Sequence, residues 1–278
     1  HKIIIVGGGA GCLELATQLG NTLRKSNKAK ITLVDQKLTH IWKPLLHEIA
    51  AGTLNPHAEE TNYFAHSAKN YYEFVLGSFI EIDQKSKQIV LETSQRSKLD
   101  RTQKNIRLDY DTLIIAVGST SNDFNTEGVK QHCHFLDSRK QADVFQQDLL
   151  HLYLEAQNHE ISRTLNIAII GAGATGIELA AELYQAKQTF FKYGLNKIHP
   201  KNVNITVIEA ADRILPVLSE TIAQHTSHQL EQFGITVLTQ HRVSKVDNEK
   251  VYFADGNSID ADLKVWAAGI KASGVLEK

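Results

Sequence analysis

The chain is short of cysteine, of net charge and of long apolar runs, and each shortage excludes a class of protein. Among its 278 residues only Cys12 and Cys133 are cysteines, so it has neither a C-x-x-C pair nor a zinc-ligand spacing, which is typical of a reducing compartment. The formal net charge of −1 gives no electrostatic basis for binding nucleic acid. No uncharged stretch approaches the length of about 20 residues that a membrane-spanning helix needs. The 42% hydrophobic content instead predicts a globular protein with sizeable cores.

One motif occurs twice in the chain. Residues 3–16 and residues 167–180 each combine an apolar run, a glycine-rich turn and a helical pattern, and the second copy follows the first by 164 positions. Glycines at such a turn let the backbone approach a pyrophosphate, whose charge is stabilised at the helix N-terminus. The motif positions that we predict to bind a cofactor are Gly7, Gly9, Ala10 and Gly11 in the first copy, and Gly171, Gly173, Thr175 and Gly176 in the second.

An acidic residue ends the next apolar strand after each copy. These residues are Asp35 and Glu209. A carboxylate at this place accepts hydrogen bonds from the adenosine ribose and repels a 2′-phosphate, which favours NADH over NADPH. Arg213 is the cation in the sequence near enough to Glu209 to oppose that preference. A single motif is explained equally well by a glycine-rich turn that binds nothing, but the pair predicts two dinucleotide sites.

These patterns predict the fold class: an α/β protein with two Rossmann-like dinucleotide-binding domains of the disulfide-reductase type, the second inserted in the first. We predict that residues 1–161 form the first part of one domain, that residues 162–264 form the other, and that residues 265–278 return to the first. Residues 73–90 predict a β excursion with a turn at Lys85 and Ser86, and residues 94–105 a polar loop. Residues 138–157 predict a helix by the spacing of their apolar positions.

Two longer runs narrow the comparison to one family. They are Trp-Lys-Pro-Leu-Leu-His-Glu at residues 42–48 and Val-Trp-Ala-Ala-Gly-Ile-Lys-Ala at residues 265–272. With residues 110–119, 122–124, 135–138 and 213–216, they make the whole chain resemble the type II NADH:quinone oxidoreductases. These are single-subunit, FAD-dependent respiratory enzymes that do not pump protons.

The resemblance implies FAD in residues 1–161 and NADH in residues 162–264, with hydride passing from NADH to FAD and electrons then passing to a membrane quinone. Without the resemblance, the sequence indicates that Lys43 is a solvated cation and that residues 267–269 are ordinary strand-to-turn packing. The further cofactor contacts that we expect are Lys43, Ala116, Gly118, Ala268 and Gly269.

Glu178 is the expected catalytic residue, because the resemblance places it near the nicotinamide and makes it a candidate for proton delivery to quinone. The alternative is that Glu178 lies in the first helical turn and is attracted there by the helix dipole, as Glu14 would be in the other copy.

Cys12 stands at the third glycine position of the first motif. We interpret Cys12 as a packing residue, with a redox role as the alternative. His132, Cys133 and His134 could suggest a metal site, but an exposed strand edge is favoured and we predict no metal.

The resemblance also implies a peripheral position on the cytoplasmic side of the inner (plasma) membrane, reached through C-terminal segments that this sequence lacks. A homodimer is compatible with it, and no nucleic-acid partner is expected. Relatives carry flavin, quinone and membrane segments beyond the region matched here, so we expect residues 1–278 alone to be inactive. The alternatives are another flavoprotein reductase of ferredoxin or sulfide:quinone type, or a non-catalytic nucleotide-binding redox module.

Overall fold

The computed structural model describes residues 1–93, 104–159 and 163–277, so most of the predicted loop at residues 94–105 lies outside the described residues. The helices in chain order are α1 (Ala10–Leu19), α2 (Leu46–Ala51), α3 (Pro56–Glu59), α4 (Tyr63–Lys69), α5 (Val129–His132), α6 (Arg139–Asn158), α7 (Ala174–Lys192) and α8 (Glu220–Gln232). The strands are β1 (Lys2–Val6), β2 (Lys30–Asp35), β3 (Thr39–His40), β4 (Thr61–Asn62), β5 (Glu73–Leu76), β6 (Ser78–Asp83), β7 (Gln88–Thr93), β8 (Lys104–Asp109), β9 (Thr112–Ile115), β10 (Ser119–Ser121), β11 (Leu165–Ile170), β12 (Val203–Ile208), β13 (Thr236–Leu238), β14 (Val243–Val246), β15 (Lys250–Phe253), β16 (Ser258–Asp260), β17 (Leu263–Trp266) and β18 (Ile270–Ala272).

The chain divides into two compact units, and their bounds differ from the predicted domain ranges. The first unit comprises residues 1–42, 56–120 and 272–278, and the second comprises residues 43–55 and 121–271. Residues 43–55 join the second unit because α2 packs against α6 and α7. The second unit is interrupted by part of the first, and its larger segment is inserted between residues 120 and 272.

The first unit is built on a parallel sheet with the strand order β5-β2-β1-β9. Alternate residues of β1 point to opposite faces of this sheet. On one face Ile3 and Ile5 pack in a core with Cys12 and Ala16 of α1. The other face of the sheet packs against the antiparallel sheet β6-β7-β8 in a second core. The helix and the antiparallel sheet thus leave the carboxyl ends of the parallel strands as the place for a ligand.

The second unit repeats this plan. Its parallel sheet has the order β13-β12-β11-β17, which matches the first sheet strand for strand, and the antiparallel sheet β14-β15-β16 again precedes the last parallel strand. Buried residues of β11 and β17 pack with those of β14 and β15 in one core. The predicted fold class of two Rossmann-like units is confirmed.

Local predictions met different outcomes. The β excursion is confirmed as β6 and β7, and the Asp83 carboxylate accepts hydrogen bonds from the Lys85 and Ser86 amides in the turn between them. The predicted helix at residues 138–157 is confirmed as α6, with Ser138 as its N-cap. The strand edge predicted to hold both histidines is wrong for His132, which ends α5. No helix within the described ranges is both long and apolar enough to cross a bilayer.

Candidate functional site

The first glycine turn lies between β1 and α1, and we call it the first cradle (residues 7–11 with Asp35 and Ala116). Gly7 has φ +108°, and its amide donates to the Val34 carbonyl at 2.8 Å. A Cβ on Gly7 would lie 2.2 Å from the Ala116 carbonyl oxygen. Both the left-handed backbone and this close approach require glycine. The structure therefore places Gly7 directly beside Ala116.

Asp35 joins the end of β2 to this turn. One carboxylate oxygen accepts a hydrogen bond from the Gly8 amide at 2.6 Å, and the other accepts one from the Lys37 amide at 2.8 Å. An ionised carboxylate offers about four lone-pair sites, so acceptor capacity is left for ribose hydroxyls. Gly9 is the N-cap of α1, and the space beside Gly9 and Gly11 is open. The first cradle thus presents an acid, an open glycine turn and a helix N-terminus to one ligand.

A cavity of about 200 Å³ opens beside the first cradle, within the first unit. It extends from the glycine turn and the end of β2 to the start of β6. Its lining residues are Val6, Gly7, Val34, Asp35, Gln36, Gly77, Ser78, Phe79, Val117, Ser273 and Val275.

The second cradle (residues 171–176 with Glu209 and Ala268) reproduces these contacts. Gly171 has φ +109°, and a Cβ there would lie 2.6 Å from the Ala268 amide nitrogen. The Glu209 carboxylate accepts from the Ala172 amide and from the Ala211 amide, both at 2.9 Å. Gly173 is the N-cap of α7. Each acid therefore accepts one hydrogen bond from the glycine turn of its own motif and one from the amide two residues after itself.

The third glycine position distinguishes the cradles. A Cβ on Gly176 would lie 2.0 Å from the Gly171 carbonyl oxygen, so α7 approaches its turn too closely for any other residue. In the first cradle this place is taken by Cys12, which is buried among core residues, and burial raises the pKa of its thiol. A buried thiol with a raised pKa is a poor nucleophile, which favours the packing interpretation of Cys12.

Glu178 is the fifth residue of α7, because the helix begins at Ala174. The interpretation that places Glu178 in the first turn is therefore wrong, and the same holds for Glu14 in α1. The dipole effect declines beyond the first turn, so it does not explain Glu178. The Glu178 side chain is half-exposed, and its carboxylate lies 3.5 Å from Nδ1 of the buried His47 in α2.

Lys43 and Gly269, two of the predicted cofactor contacts, lie in the second unit outside the second cradle. The Lys43 ammonium is 3.3 Å from the Asp137 carboxylate, so this cation already has an anionic partner. Gly269 has φ +66°, and a Cβ there would lie 2.4 Å from the Phe124 ring. In the first unit Gly118 has φ +75° and faces open space. The described residues contain no group of three or more metal ligands arranged to hold an ion.

The family description "pyridine nucleotide-disulphide oxidoreductase" matches residues 1–278. The chain belongs to this family. The resemblance to type II NADH:quinone oxidoreductases is confirmed by a protein of that name from Haemophilus influenzae, which is 41% identical over the whole chain. A relative of the same name from Staphylococcus aureus is 30% identical. The chain spans 66% of the length of each of these relatives.

Solved structures of other proteins share the fold of this chain. NDH2 from Plasmodium falciparum in complex with NADH has a TM-score of 0.85 at 23% identity, over 99% of this chain and 56% of that one. The sulfide:quinone oxidoreductase from Aquifex aeolicus has a TM-score of 0.76 at 18% identity, over 99% of this chain and 60% of that one. At such identities the likeness shows the two-unit architecture and does not separate the activities.

Several residues that contact the cradles were missed by sequence reasoning. Tyr63 and His40 both donate to the Gly8 carbonyl in the first cradle. In the second cradle the Leu215 amide donates to the Ala172 carbonyl. The one signal in the sequence was Gly8 itself, a glycine at a place where the motif needs none.

Arg213 was considered as a cation that could oppose the preference for NADH. Its guanidinium donates to the carbonyls of Pro216 at 2.8 Å and Leu218 at 3.0 Å, and more weakly to that of Leu215 at 3.4 Å. Arg213 therefore organises its own loop.

Proposed function

We propose that this protein oxidises NADH through FAD and passes the electrons to a membrane quinone. FAD is assigned to the first cradle, within the predicted range 1–161, and NADH to the second, within 162–264. The observation that carries this assignment is the duplicated contact of a strand-end acid with the amide of its own glycine turn. The residues present fit a dinucleotide. In each cradle the first glycine of the turn has no room for a side chain, and the carboxylate can accept further hydrogen bonds.

The chemistry of hydride transfer belongs to the two cofactors, and the protein supplies binding and orientation. The 41% identical relative named for NADH:quinone oxidation supports this reaction over that of other members of the family. Glu209 supports NADH over NADPH, because a 2′-phosphate would meet its carboxylate. Arg213 donates its hydrogen bonds to backbone carbonyls of its own loop, which leaves that preference unopposed by Arg213.

Glu178 is assigned the role of proton donor on the way to quinone. Its half-exposed carboxylate can exchange protons with water, and the imidazole of His47 at 3.5 Å offers a neighbouring proton carrier. The same proposal includes a peripheral position on the cytoplasmic side of the membrane and assembly as a homodimer, both as the family resemblance implies.

The test is an anaerobic NADH titration of the purified full-length protein, followed by a soluble quinone. We expect stoichiometric bleaching of the flavin by NADH, weak bleaching by NADPH, and rapid return of the colour on adding quinone. Return of colour only with ferredoxin would favour the ferredoxin-reductase alternative. Bleaching by sulfide in place of NADH would favour the sulfide:quinone alternative. Absence of flavin from the protein would refute the proposal.

The role of Glu178 has a matched control one helical turn further along α7. Glu182 accepts a hydrogen bond from the Thr53 hydroxyl at 2.6 Å, so it resembles Glu178 in facing the segment 43–55. We expect Glu178→Gln to slow quinone reduction by at least tenfold while flavin bleaching by NADH stays fast, since general acid catalysis contributes about 10²–10⁴-fold. Glu182→Gln should leave both steps near normal. Equal effects of the two substitutions would contradict the assignment.

A further inference from the structure

The peptide group between Gly8 and Gly9 is held on one side by side chains that no motif includes. The Gly8 carbonyl oxygen accepts a hydrogen bond from the Tyr63 hydroxyl at 2.5 Å and one from His40 Nδ1 at 2.9 Å. The Gly8 amide donates to Asp35 at 2.6 Å. Tyr63 is only 2% exposed, so its hydrogen bond is shielded from water, and the contacts of His40 and Asp35 are partly buried.

The orientation of this peptide decides where the Gly9 amide points. In a trans peptide the C=O and the N–H lie in one plane and point in opposite directions, and no cis peptide is present in the described chain. Because the Gly8 carbonyl is directed at Tyr63 and His40, the Gly9 N–H is directed away from them. Gly9 is exposed, faces open space and is the N-cap of α1. The Gly9 N–H is thus aimed at the place where an anion would sit.

The second cradle holds the equivalent peptide by a different donor. The Ala172 carbonyl, one motif position before Gly173, accepts from the Leu215 amide at 2.9 Å. Leu215 is buried with φ +47°, a conformation that is unfavourable for leucine. The Arg213 guanidinium donates to three carbonyls of the loop around it and so holds Leu215 in this conformation. The same carbonyl is thus fixed in both cradles, by side chains in one and by a loop in the other.

We propose that Tyr63 and His40 are positioning residues for the pyrophosphate of the dinucleotide in the first cradle, and that Arg213, through Leu215, has this role in the second. Each acts by fixing the peptide whose N–H faces the phosphates. This inference rests on the proposed function, because it assumes a dinucleotide in each cradle.

Tyr63 is suited to this role by its surroundings. Its ring stacks on Phe74 with 4.8 Å between centroids, which fixes the direction of the hydroxyl. Burial and the nearby Asp35 carboxylate raise the pKa of Tyr63, so the hydroxyl stays protonated and remains a donor. A Cβ on Gly8 would lie 2.1 Å from the Tyr63 oxygen, which explains the additional glycine in this turn.

The test compares ligands with and without phosphates. Full-length protein freed of flavin is titrated with FAD, and ADP and adenosine are then compared as competitors of FAD binding. We expect Tyr63→Phe to weaken the binding of FAD and ADP by about tenfold and to leave the binding of adenosine unchanged. Tenfold is about the value of one hydrogen bond to a charged group, here the bond from the Gly9 N–H to a phosphate. A merely structural role of Tyr63 would weaken ADP and adenosine equally, and that result would overturn the proposal, as would unchanged affinity for all three.

Tyr72→Phe is the matched control, because Tyr72 belongs to the same core and its hydroxyl bonds to His66 at 2.9 Å. It should leave all affinities unchanged. Arg213→Met should weaken NADH and leave FAD unchanged, the reverse of Tyr63→Phe. If Tyr63→Phe fails to fold, His40→Ala removes the second donor and should weaken FAD and ADP, but not adenosine, by a smaller factor. No effect of His40→Ala would refute the role of His40.

The outcomes separate this inference from the proposed function. Parent protein that binds no FAD refutes the proposed function. Parent protein that binds FAD with the affinity of the Tyr63→Phe variant refutes only the positioning role. In the first case direct calorimetry of ADP binding still tests the role of the Gly8 peptide.

Discussion

Gly176 is a position of the second cradle at which one added methyl group would collide with the backbone. A Cβ there would lie 2.0 Å from the Gly171 carbonyl oxygen, whereas real Cβ contacts are essentially never below 3.0 Å. The Gly171 carbonyl belongs to the backbone, and the position of a Cβ is fixed by the backbone, so no side-chain rotation relieves the overlap. Gly176→Ala therefore requires α7 and the glycine turn to separate by at least 1 Å, the difference between these two distances.

Two opposing terms set the size of the effect on stability. Alanine in place of glycine within a helix contributes up to about 1 kcal/mol in favour of folding. Overpacking against a fixed neighbour costs about 1–3 kcal/mol. We expect the clash to win, with a net loss of about 1–2 kcal/mol in the free energy of unfolding. The separation also displaces the Gly171 peptide from Ala268, so affinity for NADH should fall as well.

Urea unfolding and NADH titration measure the two effects. Gly11→Ala is the control, because Gly11 occupies the equivalent early part of α1 but has no atom within 4 Å of its added Cβ. It should be neutral or stabilising. If Gly176→Ala is as stable as the parent and binds NADH equally well, the close approach of α7 to its turn is not what requires glycine here.

Four further predictions concern two buried lysines, one partly buried histidine and the acid of the second cradle. Lys187 is buried and burial lowers its pKa, so Lys187→Met should raise stability at pH 7, and the gain should shrink as pH rises toward 10.5, where the unfolded lysine also loses its proton. Lys264→Met should instead lower the stability measured in urea by about 1–3 kcal/mol, because it leaves the buried Ala261 carbonyl and the partly buried Asn248 carbonyl without their donor. Burial lowers the pKa of His134, so the unfolded state binds more protons and stability should fall as pH drops through 6.5; His134→Asn should reduce this slope in acid titrations. Glu209→Gln should lower the ratio of the NADPH dissociation constant to the NADH dissociation constant. An unchanged ratio would show that Glu209 does not select the nucleotide.

The sequence predicted those parts of the fold that local chemistry determines. Continuous apolar runs identified β1 and β11, and the glycines identified the turns after them, because close backbone approach excludes other residues at Gly7 and Gly171. The division into units was not predictable in this way. Residues 43–55 pack on α6 and α7, whose sequence lies about a hundred positions away, and no local pattern reports such a contact.

The candidate site shows the same limit at the level of single residues. A duplicated motif predicts duplicated backbone contacts, and Asp35 and Glu209 do make equivalent ones. It does not predict the donors to the Gly8 and Ala172 carbonyls, because the first cradle uses the side chains of Tyr63 and His40 and the second uses a backbone amide. The two cradles thus fix the equivalent carbonyl with different kinds of donor. The two cradles can therefore be altered independently, since a substitution at Tyr63 has no counterpart in the loop that Arg213 organises.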